Sequence, residues 1–176
     1  ATTTPTVTLR RPFAQVNLCT LNNKSAAQAD GNYNVALVSS KMRLDAVPTK
    51  FNVSTSVATE YKAMEFIANA VPSDPSKITV NGKEYWYAGM NYVFAGANIV
   101  LTYDINTKLN SAVDATVNNT VYDVPLRENH RTNIVGNLLT SKTDFEIFVD
   151  ASFATPDFVE EVWNGSEISE PAYDEP

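Results

Sequence analysis

Residues 98–105, NIVLTYDI, alternate in character: Ile99, Leu101, Tyr103 and Ile105 fall on one side and the residues between them on the other. An extended chain separates them in this way, because successive side chains of a strand point to opposite faces. FEIFVDASF (145–153) repeats the pattern. Phe145, Ile147, Val149, Ala151 and Phe153 share a side, Glu146, Asp150 and Ser152 oppose them, and Phe148 is out of step. ITVNGKEYWY (78–87) supplies the connection such strands need. Asn81-Gly82 lies between two β-favouring runs, and a two-residue hairpin turn selects that pair because both central positions take positive φ. Further strands are expected at Pro12–Cys19, Asn34–Leu44, Lys50–Val53, Val113–Val117, Thr120–Val124 and Asn133–Thr140. About nine strands separated by turn residues read as a β-sandwich or barrel.

Two stretches fit more than one period. ATEYKAMEFIANAV (58–71) places Tyr61, Met64, Ile67, Ala68 and Val71 on a helical face, and equally Met64, Phe66 and Ala68 on a strand face. YWYAGMNYVFAG (85–96) is similarly ambiguous. Both are read as strands, with room for one short helix.

The chain has 176 residues, enough for one compact domain with a real core. Its net charge of −7 and lack of a basic stripe argue against nucleic acid and anionic membrane surfaces as partners. ATTTPTVTLRR is not a signal peptide, and without an initiator Met the chain reads as a mature product or an excised domain. No apolar run approaches the ~20 residues of a membrane-spanning helix. The single cysteine, Cys19, excludes an intrachain disulfide and reads as a buried, inert thiol within VNLCTL.

Chemistry-bearing patterns are sparse. One His and one Cys do not make a zinc site. Asp144, Glu146 and Asp150 read as a solvated strand face and not as a calcium site. His130 has no marked nucleophile and sits in a polar crossing between strands, which Pro125 begins and Ile134–Leu139 ends. Gly136 suggests a bulge or close approach within the second strand. The chain contains no phosphate-binding glycine loop. Sequons at Asn52, Asn118 and Asn164 carry no argument by themselves. Tyr85, Trp86 and Tyr87 form the densest aromatic run and the candidate ligand platform, against the alternative of ordinary core packing.

Three stretches carry a resemblance: LRRPFAQVNL (9–18), YWYAGMNYVFAG (85–96) and VPLRENHRTNIVGNLLTS (124–141). In this order and spacing, with Trp163-Asn164-Gly165 after them, they resemble the fimbrillin-like cell-surface proteins of gut Bacteroidetes. That group includes pilus subunits and related adhesins exported as lipoproteins. The resemblance covers residues 9 to about 171. It implies a transthyretin-like β-sandwich, the second of two, with R-P-F-A-Q at its start. Residues 1–160 are then the sandwich, and 161–176 an acidic tail or a linker to a further domain. It also implies an extracytoplasmic location at the cell surface, in the outer membrane or a fimbrium, with a lipid anchor outside this chain.

The expectation is therefore a structural or adhesive domain with no enzymatic activity, cofactor or metal. Its partners would be other fimbrial subunits, or a host or bacterial surface protein or glycan. Strand exchange would use the edge formed by Thr6, Val7, Thr8 and Leu9, or the last strand. The alternative is a carbohydrate-binding module of a surface glycan-utilisation protein.

Overall fold

The computed structural model describes residues 11–21, 35–72, 75–109, 113–139 and 145–150. The strands are β1 (Phe13–Thr20), β2 (Val35–Asn52), β3 (Val57–Glu65), β4 (Asn69–Ala70), β5 (Lys77–Val80), β6 (Lys83–Phe94), β7 (Asn98–Leu109), β8 (Val113–Pro125), β9 (Arg131–Gly136) and β10 (Phe145–Asp150). The described residues contain no helix, so 58–71 is extended wherever it is regular. Candidate edge residues Thr6, Val7, Thr8 and Leu9, and the segment 161–176, lie outside the described residues.

Two five-stranded sheets face each other. One runs β10-β9-β1-β6-β5; the other runs β3-β2-β7-β8, with β4 added on β2. Every neighbouring pair is antiparallel except β1 with β9. The alternation of 98–105 is realised directly: Ile99, Leu101, Tyr103 and Ile105 are all buried. They meet Ala14, Val16 and Leu18 of β1 and Met42, Leu44 and Val47 of β2 in one continuous core. Burying each large aliphatic side chain is worth roughly 1.5–3 kcal/mol relative to leaving it in water. Phe145 and Ile147 pack against this core, and Phe148 faces away, as their spacing predicts.

Two pairs of expected strands are joined. Asn34–Leu44 and Lys50–Val53 fall within β2 despite Pro48. β2 pairs with β7 as far as Leu44 and with β3 from Arg43 onward. Pro48 therefore has a neighbouring strand on only one side, where a missing N–H can be tolerated. Val113–Val117 and Thr120–Val124 likewise merge into β8, which ends at Pro125 as expected. The Asn81-Gly82 turn links β5 to β6, with φ of 51° and 76°, the left-handed pair a type I′ hairpin requires.

Gly136 does not form the bulge that is one of its two expected roles. It closes β9, and neither ladder of β9 shows a register shift. The bulge of this sheet lies in β6, where the register slips between Leu18 and Cys19 of the partner strand and Ala88 is left over.

Candidate functional site

His130, the most conspicuous residue of the sequence, lies in a turn that leads into β9. Residues Arg127–His130 form a turn closed by the His130 N–H donating to the Arg127 carbonyl at 3.2 Å. His130 Nδ1 lies 2.6 Å from the Glu128 carbonyl, which engages that ring nitrogen. The crossing is clipped to β1 by Asn129 N–H donating to Phe13 O and Gln15 N–H donating to His130 O, each at 3.0 Å. The Thr132 hydroxyl donates to the Pro125 carbonyl at 2.5 Å. The sequence VPLRENHRTN is thus a connection between the two sheets, pinned to the strand beside which it re-enters.

The Ala88 bulge decides which side chains of β6 can meet a ligand. Strict alternation would place Tyr85, Tyr87, Gly89 and Asn91 together. With one residue extra, Tyr87 lies beside Cys19, Met90 beside Asn17 and Tyr92 beside Gln15. These are residues of the sheet's outer face, opposite the main core. Gly89 instead faces inward, where a Cβ would come within 2.5 Å of Ser40 Oγ and 2.9 Å of the Met42 methyl. The small Ala88-Gly89 pair is both the local cause and the sequence signal of the slip, since glycine within a strand marks bulges and close backbone approach.

The candidate platform Tyr85-Trp86-Tyr87 is not one surface. Tyr85 is buried in a small second cluster with Cys19, Val80 and Val135, against which Tyr87 is half-buried. Trp86 points to the other face beside Lys77, whose ammonium lies 5.0 Å from the ring centroid. Of the three, only Tyr87 lines a groove beside β6. Tyr92, Met90 and Gln15, which sequence reading passed over, join it there.

The strand register arranges the outer face in rows. Asp150, Arg131, Gln15 and Tyr92 form the first, Phe148, Asn133, Asn17 and Met90 the second, and Glu146, Val135, Cys19 and Tyr87 the third. Amides link the rows: Gln15 Nε2 donates to Asn17 Oδ1 at 2.9 Å, and Asn17 Nδ2 donates to Asn133 Oδ1 at 2.7 Å. Asn133 is fully buried, and its Nδ2 has no hydrogen-bond partner.

Burial and then the neighbouring Cys19 push the Tyr87 phenol above its ordinary value, while Arg131 pulls it down and Asp150 adds to the rise. Burial pushes the Cys19 thiol far above its ordinary range, which makes it a poor nucleophile.

A groove of about 560 Å³ opens where β5 stops pairing with β6 after Trp86. Its far wall is the connection around Asn69–Pro72 and Pro75-Ser76. Among the described residues no group of three or more His, Cys, Asp or Glu gathers as a metal site.

The outer face of the second sheet is a different surface. Arg43 grips Asp104 with two hydrogen bonds, of 2.6 and 3.1 Å, and Asn118 donates to the same carboxylate. Ser39, Asn106 and Thr116 form a hydrogen-bonded row beside them. These groups satisfy one another across three strands, as expected of a solvated sheet face.

No curated protein matches the chain. A solved structure from Bacteroides ovatus, described as a "putative cell adhesion protein", is similar at 13% identity with a TM-score of 0.41. The match covers 80% of this chain and 45% of that one, so this chain spans less than half the length of its neighbour. Residues 1–170 match a family described as one of unknown function. The chain belongs to that family, DUF6562.

Proposed function

We propose that this is a structural and adhesive domain of a bacterial fimbrillin-like cell-surface protein, acting by protein–protein contact and strand exchange and not by catalysis. The observation that carries this reading is the position of β10. It pairs with β9 alone and forms the edge of its sheet among the described residues. Such an edge presents main-chain groups to an incoming strand, which gains affinity from the backbone and specificity from alternate side chains. The motifs RPFAQVN and NHRTNIVGNLLT support the same reading, since they resemble those of fimbrillin-like surface proteins, a group that includes pilus subunits. In this proposal the partner is another subunit or a surface protein.

The test is to express the protein, trim it with protease, and examine it by gel electrophoresis without boiling. A ladder of stable multimers is expected after trimming. Phe148→Lys, which places a charge on the exposed face of β10, should shorten the ladder. Protein that stays monomeric whether trimmed or not would rule out strand exchange.

A further inference from the structure

The outer face of the β10-β9-β1-β6-β5 sheet carries parallel stripes of opposite character. Tyr87, Met90 and Tyr92 stand in successive rows along β6; Met90 is 49% and Tyr92 51% exposed. Beside them run Gln15 and Asn17 of β1, and next Arg131 and Asn133 of β9. The rows lie two residues apart on β1, so the stripe is roughly 13 Å long at ~3.3 Å per residue. The groove opens along it, and its volume of about 560 Å³ is that of a small-ligand site.

A ligand in this groove meets aromatic rings and a thioether on one flank and amide and guanidinium groups on the other. A pyranose chain is divided in the same way, with apolar C–H faces and a rim of hydroxyls. Gln15 and Arg131 are the polar groups that line the groove itself, and the Gln15 amide is oriented by donating to Asn17 Oδ1 at 2.9 Å and to Met90 Sδ at 2.7 Å. Side chains from three strands present this surface, which favours a ligand read by side chains over a strand read by its backbone.

We propose that the groove beside Tyr87, Met90 and Tyr92 is a binding site for a short oligosaccharide. This names a ligand for the adhesive part of the proposed function and needs no strand exchange, so the two can fail separately.

The experiment uses the full 176-residue chain. It is passed over immobilised di- to tetrasaccharides, both neutral and uronate-bearing, and binding is measured by calorimetry for any that are retained. Binding of at least one class is expected. Tyr92→Ala and Met90→Ala should each weaken it by about tenfold, the cost of one well-made contact. Tyr122→Ala, an exposed tyrosine of the other sheet, should change it less than twofold. Both test positions are about half exposed, so folding is preserved, and an unchanged circular dichroism spectrum checks this. No binding at millimolar sugar would overturn the proposal. So would binding indifferent to Tyr92→Ala and Met90→Ala, or occupation of the groove by an extended peptide that the sugars cannot displace.

Discussion

Asp104 shows how one residue can tie three strands together. Its carboxylate on β7 accepts hydrogen bonds from Arg43 on β2 and Asn118 on β8. The Arg43 hydrogen bonds first, then that of Asn118 and the guanidinium charge, hold its carboxyl below the usual carboxylate range against a partial desolvation cost. A depressed folded-state value means stability that is present above the unfolded value, near pH 4, and lost as pH falls through the folded one. Thermal melts from pH 6 to pH 2 should therefore show a loss of stability below about pH 4. Asp104→Asn should melt lower than the native protein at pH 6, and the gap should close towards pH 2. A gap independent of pH would mean that the carboxylate charge contributes nothing. The groups of this network stand apart in the sequence and come together only through the register of β2, β7 and β8. They were therefore not legible as a network: Asp104 fell on the polar side of the alternating stretch 98–105, while Asn118 fell between two expected strands that the structure joins into β8.

At the scale of elements, alternation was enough to find most strands, and the Asn81-Gly82 pair identified its hairpin because the turn chemistry is local. What alternation cannot supply is a change of phase. β6 begins with Tyr85 and Tyr87 outward and ends with Met90 and Tyr92 outward, although the two pairs have opposite parity in the chain. The candidate platform Tyr85-Trp86-Tyr87 is divided by alternation itself, since Trp86 faces away from its two neighbours, whereas the outward placing of Met90 and Tyr92 depends on the slip, for which the Ala88-Gly89 pair was the available clue. Deleting Ala88 removes the extra residue. Tyr87 is then followed directly by Gly89, so both halves of β6 share one alternation and Tyr85, Tyr87, Met90 and Tyr92 keep the outer face with their partners on β1 unchanged. The variant should keep a cooperative thermal transition and melt below the native protein, because the buried Ala88 methyl is lost. Loss of the cooperative transition would show that the fold requires the bulge. β2 teaches the complementary lesson. Pro48 argued for a break, yet the strand continues because its neighbour on one side has already ended.

For the whole molecule, two apolar layers flank one sheet: the main core beneath it and the smaller cluster around Cys19 above it. The fold class and the buried state of Cys19 followed from the sequence, whereas the pairing of the first strand with the ninth did not, since no local pattern encodes a partner so distant. Cys19 has no exposed surface and its thiol is held protonated. In native buffer it should resist a maleimide probe over hours and react within minutes in denaturant, with mass spectrometry counting the adduct. Rapid labelling of the native protein would show that the second cluster opens readily. The β1–β9 pairing has a further consequence, for the time course of folding. Asn17 and Asn133, which share a hydrogen bond, are 116 positions apart. Contacts of such long range are slow to form, because much of the chain must be ordered before they are rewarded. A ribosome making this chain releases β1 well before β6, and β9 later still. Until both arrive, an eight-residue strand built for the middle of a sheet has neither neighbour. The segment most in need of a chaperone during synthesis is therefore β1, FAQVNLCT.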